Sequence, residues 1–347
     1  MCFQFQDLNK TQRKVLGLFL LLGIFAIAGA YFVAFKGNTT PLDKDYFYIQ
    51  HDDSYERVRE NLMQKKVIKN VQTFDLVAKQ MNLRNTYKAG RYKIAKELSN
   101  VELVRLIRQG NWKKVVVKVP VEMTREQVVE HLAEKLQPTK EEIREALDGA
   151  WVQQCGFTAE NKWSVFLPDH YHFNWATPAD KVIKRFVDEY AAFWTASRKQ
   201  KAKAQGLTTK EAVVLASIVD GEAIHVDEMP TIAGLYLNRL KKGQLLQSDP
   251  TVLYVVGREG RKRVLYSDLR QDHPYNTYKN VGLPPGPLFA PDKRAIDAVL
   301  SPAKHRYIFM CARPDGSYRH NFTASIAQHN RNAAAYRRSL DRRGVRR

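Results

Sequence analysis

Apolar residues run without a single charge from Val15 to Phe35, VLGLFLLLGIFAIAGAYFVAF. About 21 residues at helical rise cover a bilayer core of roughly 30 Å, so the stretch 15–35 predicts a transmembrane helix. A cleaved signal peptide would carry an apolar core of about 7–15 residues and a small-residue cleavage site, whereas this run continues through Tyr31, Phe32 and Phe35. Lys10, Arg13 and Lys14 precede it and Lys36 follows. That flank places residues 1–14 in the cytoplasm and the rest of the chain across the membrane.

Beyond the anchor the pattern shortens. Gly37 to Lys44 reads as a polar connector, too broken to pack a core. YFYI at 46–49 reads as a strand. SYERVRENLMQKKVI reads as a helix with Val58, Leu62 and Met63 on one side, followed by a helix in VQTFDLVAKQMN, a strand in AGRYKI, and a helix in SNVELVRLIRQG closed by Gly110. Residues 45–112 therefore predict a small α+β unit of about 70 residues, the size of a binding module. The strand KVVVKVP and the helix TREQVVEHLAEKL open a bridging segment, 113–206.

Composition changes the picture only in part. With 44% hydrophobic and 27% charged residues the chain is a folded one, and its net charge of +20 draws it toward anionic polymers or surfaces. With the chain outside the cytoplasm, nucleic acid is not the expected partner, and no RNP, helix-turn-helix or zinc signature speaks for it. Cys2, Cys155 and Cys311 are too few and too scattered for a disulfide framework and read as buried thiols. His170 and His172 beside Asp169 have the look of a metal cluster, but the alternation around Tyr171 fits a strand better, so neither metal nor cofactor is expected. The tail 337–347 is rich in Arg and reads as a solvated helix end that can touch anionic lipid.

From Leu207 onward the residues become less ordinary. TTKE at 208–211 fits a capping box that starts a helix at Thr209. Pro230 suits the first turn of a following helix whose Ile232, Leu235, Tyr236 and Leu240 recur at helical spacing, ended by Gly243. At the junction stand Asp220, Gly221 and Glu222. Two readings are open for the carboxylates: a solvated helix end, or an acid at a cleft rim whose partial burial keeps a proton available. QSDPT at 247–251 with VLYVVG, and HPYNTYKNVGLPPGP at 273–287, read as loops whose Tyr, Asn and Thr side chains suit sugar.

These residues, ASIVDGEA, NRL, LLQSDPTVLY, YNTYKNVGLPPGP and HNFTASIAQHN, with KAGRYKI and FLPDHYHF before them, resemble the YceG-like (MltG) family of endolytic murein transglycosylases. The likeness runs from the anchor to about Arg331. It implies an α+β chain: a transmembrane helix, a LysM-like module, and a larger mixed α/β YceG-like catalytic domain at 207–336. It also implies a single-pass protein of the bacterial inner membrane, with its catalytic domain in the periplasm. That domain would cut peptidoglycan glycan strands between MurNAc and GlcNAc, leaving 1,6-anhydro-MurNAc ends and terminating strand elongation. Peptidoglycan synthases are candidate partners.

The family's catalytic glutamate falls on Glu222. Asp220, Gly221 and Ala223 depart from the family's Glu, Lys and Thr. Glu222 would protonate the departing oxygen and then accept the proton of the sugar's own 6-hydroxyl. Gln247, Ser248, Asp249 and Thr251 are expected to order the floor beside it. Tyr275, Asn276 and Tyr278 are expected to contact glycan, and His320 and Asn321 to hydrogen-bond substrate or Glu222, although a structural histidine on a strand fits as well. A catalytically silent peptidoglycan-binding scaffold is the alternative, and the unusual DGEA is the only feature that favours it.

Overall fold

A computed structural model of the protein describes residues 10–42, 46–110, 113–257 and 264–342. The chain divides into two compact units, one holding residues up to 115 together with 173–178, the other holding 116–172 together with 179 onward. The bridging segment expected over 113–206 thus lies mostly in the same unit as 207–336. Cys2, most of the expected cytoplasmic segment, the limits of the small module and the last five tail residues fall outside the described residues.

In the first unit, helix α1 (Lys10–Phe35) has a mean hydropathy of 2.5 over its most apolar window, with none of that window buried, so it is long and apolar enough to cross a membrane. Then follow β1 (Phe47–Ile49), α2 (Tyr55–Gln64), α3 (Val71–Gln80), β2 (Gly90–Tyr92) and α4 (Asn100–Gln109). The two strands pair antiparallel, Phe47 opposite Tyr92. Side chains of Ser54, Asn70 and Ser99 cap the three helix starts, and Gly110 closes α4 at φ 66, where a side chain would cost about 1–2 kcal/mol. Phe47, Ile49, Phe74, Tyr92, Leu103 and Ile107 are wholly buried, each contributing roughly 1.5–3 kcal/mol. Met63 departs from expectation: it is 39% exposed, because one residue beyond Leu62 turns it off the buried face.

The connector also departs. Gly37 bridges Ser99 and Thr39 bridges Ile68, and Asn38 and Thr39 are buried. The Asn38 amide donates to Asn100 Oδ1 (2.6 Å) and to the Asn70 carbonyl (2.8 Å), and its own oxygen accepts from Asn70 N (2.7 Å). Asn100 in turn donates to the Val33 carbonyl (2.9 Å), one of the carbonyls that the end of α1 leaves without a helical partner. Hydrophilicity did not make this stretch a tether, because its amides find partners inside the unit.

The second unit carries β3 (Val115–Val119), α5 (Arg125–Lys135), α6 (Lys140–Leu147), α7 (Trp151–Gln154), β4 (Asp169–Phe173), α8 (Ala179–Phe193), α9 (Ala196–Ala204), α10 (Thr209–Glu222), α11 (Met229–Lys241), α12 (Asp249–Val256), α13 (Lys293–Leu300), β5 (Phe309–Ala312), β6 (His320–Thr323) and α14 (Ile326–Arg342). β3 pairs with β4, and β5 pairs antiparallel with β6. Along β4 His170 and His172 are exposed while Tyr171 and Phe173 are buried, the alternation of a strand. Of the cysteines expected to be buried, Cys155 is exposed where the chain leaves α7 and Cys311 on β5 is half-buried.

Helix α10 is the centre of this unit. Thr208 and Glu211 form the expected capping box, and every residue from Ala212 to Asp220 is buried. The helix packs among α9, α11, α12 and α13, which is why its sequence is apolar around most of its circumference. The stretch expected as a loop from Gln247 through Gly257 is instead largely helical: Pro250 is pre-set for the first turn of α12, and Val252 packs inside.

Candidate active site

The ASIVDGEA residues divide their work by helical spacing. Ser217 Oγ accepts from Leu288 N (3.0 Å), and Asp220 Oδ2 accepts from Asp292 N (2.8 Å), just ahead of α13. A Cβ on Gly221 would stand 3.0 Å from Pro250 Cβ and 3.4 Å from the Phe289 ring, so glycine here lets α10 and α12 meet. Positions 217, 220 and 221 therefore lie on one side, against residues 288–292 and Pro250. Burial pushes the Asp220 carboxyl up to about 6. Asp220 thus serves the packing of α10 against the start of α13.

Glu222, at the end of the helix, faces elsewhere. It is half-buried in a cleft of about 280 Å³, together with Tyr236, Arg239, Gln247, Asp249, Tyr278 and His320. Its Oε1 accepts from the Tyr236 hydroxyl (2.8 Å) and from Ser248 Oγ (2.6 Å). Burial is the main cause that raises the Glu222 pKa above the ordinary carboxylate value, with the hydrogen bonds from Ser248 and Tyr236 acting the other way. The site thus holds a carboxyl biased toward its protonated form, with an ionised form that two hydroxyls can stabilise.

The supports are built from the loop ahead of α12. Gln247 sits at φ 53, a left-handed backbone costing a non-glycine residue about 1–2 kcal/mol. It is held there by its N–H to the Thr277 carbonyl (3.1 Å) and by Arg239, which donates to its side chain (3.1 Å). Arg239 also donates to the carbonyls of Leu245, Leu246 and Ile308. Ser248 is fully buried, and although it stands at the N-cap of α12, its hydroxyl makes no cap bond. Thr251 and Thr277 share a buried hydroxyl contact (2.8 Å) beneath it. Asp249 accepts from the Tyr278 hydroxyl (2.6 Å), so this pair faces the cleft as a unit.

The other expected residues separate. His320 lines the cleft from β6, its N–H donating to Glu228 Oε1 (3.0 Å) and its Nδ1 3.2 Å from Oε2 of that buried carboxylate. It is thus both on a strand and beside Glu222. Asn321 pairs with Cys311 and is not among the cleft-lining residues. Asn276, expected on glycan, is fully buried, its amide donating to the carbonyls of Leu269 and Gln271. Tyr275, expected there too, is buried; it stacks on Tyr254 (4.5 Å) and accepts from Arg125. The loop uses both internally: Asn276 satisfies backbone carbonyls that no strand or helix pairs, and Tyr275 fills a buried aromatic contact. Gly286 of LPPGP touches the Glu160 carbonyl so closely that a Cβ would stand 2.2 Å from it.

Tyr236, Arg239 and Glu228 escape a reading by sequence. Tyr236 fits the apolar stripe of α11 by spacing, and only its hydroxyl, a polar atom in a buried row, gave any signal. A larger cavity of about 910 Å³, lined by Glu122, Arg125, Glu126, Glu130, Tyr254 and Phe289 among others, lies outside the Glu222 cleft.

A model of the YceG-like family matches residues 47–335. An endolytic murein transglycosylase of Bacillus subtilis (strain 168) is 35% identical over 171 residues, 49% of this chain and 46% of its own length. One from Streptococcus pneumoniae is 25% identical over 76% of this chain and 53% of its own. The chain spans about half the length of these curated relatives. The crystal structure of a YceG-like protein from Listeria monocytogenes superposes with a TM-score of 0.55 at 25% identity, covering 82% of this chain and 97% of that one.

Proposed function

This chain belongs to the YceG-like family, and from that premise we propose that it is a membrane-anchored endolytic lytic transglycosylase of peptidoglycan, with Glu222 as its acid and base. The observation that carries the reading is the half-buried Glu222 carboxyl, its pKa raised by burial, on a cleft wall with Tyr236 and Ser248 on one oxygen. Glu222 protonates the glycosidic oxygen between MurNAc and GlcNAc as that bond breaks and positive charge builds at the anomeric carbon. The muramic 6-hydroxyl then closes on that carbon, and the carboxylate takes its proton. No water is consumed, and the product ends in 1,6-anhydro-MurNAc. The Asp249–Tyr278 pair and His320, held by Glu228, are the remaining polar groups available to sugar on this wall. Ser248, Gln247 and Thr251 act as supports, and the loop residues Tyr275 and Asn276 shape the site rather than touch glycan.

We place α1 in the inner membrane with the remainder on the periplasmic side, because Lys10, Arg13 and Lys14 precede the apolar run. The small unit containing β1, β2 and α2–α4 is proposed to be LysM-like and to dock on glycan, and termination of strand growth alongside a synthase is the proposed role. Glu222→Gln, assayed on purified glycan strands with mass analysis of the products, tests the chemistry. Turnover should fall by at least about 10²-fold, and products of the parent should carry anhydro ends. Equal turnover in the variant, or reducing ends from the parent, would sink the assignment. A C-terminal reporter active only in the cytoplasm would overturn the topology.

A further inference from the structure

We propose that Tyr236, acting with Ser248, is a positioning residue that fixes which oxygen of Glu222 carries the catalytic proton. The inference rests on Glu222 being the acid and base.

Both hydroxyls reach the same atom. Tyr236 comes from α11 and Ser248 from the loop before α12, and their oxygens stand 2.8 Å and 2.6 Å from Oε1. Each hydroxyl has one proton to give, and a carboxyl oxygen has two lone pairs to receive. Burial holds the Tyr236 phenol well above its ordinary pKa, so it stays a donor. The Ser248 hydroxyl likewise directs its one proton at Glu222 Oε1. With two donors seated, Oε1 is filled as an acceptor and has no room for a proton of its own. The proton of the neutral acid must therefore sit on Oε2, which has no hydrogen-bond partner among the described residues and is not one of their unpaired buried atoms. Glu222 lines the cleft, so with Oε1 occupied Oε2 is the oxygen available to a substrate bound there.

The arrangement serves both halves of the reaction. In the first, the Oε2 proton passes to the glycosidic oxygen as the C–O bond breaks, and the two donors hold the resulting carboxylate through Oε1. In the second, the 6-hydroxyl oxygen bonds the anomeric carbon and its proton returns to Oε2. Glu222 finishes as it began, and Tyr236 and Ser248 keep their protons throughout.

The test is the pH dependence of turnover by the full chain in detergent, on purified glycan strands, for the parent, Tyr236→Phe and Ser248→Ala. Activity needs the protonated acid, so it declines as pH rises through the Glu222 pKa. Removing a donor to the carboxylate raises that pKa, so the alkaline limb should move up by about one pH unit in each variant. The plateau kcat should drop roughly tenfold as the proton gains access to Oε1, with KM changed less than about twofold. A residue that merely packs would lower turnover without moving the limb. An unmoved limb in both variants, each still folded by circular dichroism, overturns the proposal. If Glu222→Gln is inactive while Tyr236→Phe matches the parent in limb and kcat, the positioning role fails alone. If Glu222→Gln stays active, the reading beneath it fails as well.

Discussion

Two buried polar clusters in this molecule are built to opposite ends. Around Asn38 in the first unit, the amide nitrogen has two acceptors, the amide oxygen has a donor, and Asn100 passes the network on to the end of α1. Around Glu222 in the second unit, which lines a cleft, one oxygen receives two donors and the other receives none among the described residues. A saturated network has nothing left to give a ligand; it fixes a shape. A carboxyl satisfied on one side only is held in place and, on the function proposed above, exchanges its proton on the other. Burial serves both, since an unmet polar atom in low dielectric costs more than it does in water.

The contrast can be broken from either side. The largest effect belongs to Glu222→Gln, which should lose at least about 10² in turnover yet melt no lower than the parent at pH 7, because an amide avoids the cost of desolvating a carboxylate. A melting point several degrees below the parent would mean that Glu222 is part of the scaffold, like Asn38. Next comes Asn38→Ala, which leaves the Asn100 and Asn70 groups short of partners. It should cost about 1–3 kcal/mol in stability while turnover per folded molecule is unchanged. Denaturation followed in the first unit, with activity measured alongside, reads both quantities. A loss of turnover in the fully folded variant would contradict the division drawn here.

The smallest effect is that of Asp220→Asn. The raised pKa of Asp220 means that the folded state holds its proton more tightly than the unfolded chain does. Its contribution to stability is full below the unfolded pKa of about 3.8 and is lost as pH rises through about 6. An asparagine still accepts from Asp292 N and does not titrate. Melting temperatures compared between pH 4 and pH 7 should therefore fall less in the variant, with turnover within about twofold of the parent. A parent and variant with the same pH slope would show that Asp220 does not titrate as its burial implies.

Much of this was written locally. A run of 21 uncharged residues can only satisfy its backbone in a lipid core as a helix, and TTKE, SNVE and TREQ carry their capping partners three residues apart, within reach of the sequence itself. Pro230 and Gly110 likewise act through their own φ. Periodicity placed α10 and α11, and the family motifs pointed to Glu222. Other features depend on atoms distant in sequence. That Gly37 to Thr39 is built into a unit, and not a tether, was decided by Asn70 and Asn100, 32 and 62 residues beyond Asn38. That 249–256 is a helix, and that Asn276 serves the loop while Asp249 and Tyr278 face the cleft, followed from which surfaces packed. Sequence could nominate Glu222 as an acid. It could not say that hydroxyls from positions 236 and 248 would converge on one of its oxygens, because hydrogen-bond direction exists only once donor and acceptor atoms from separate elements have been brought within about 3 Å of each other.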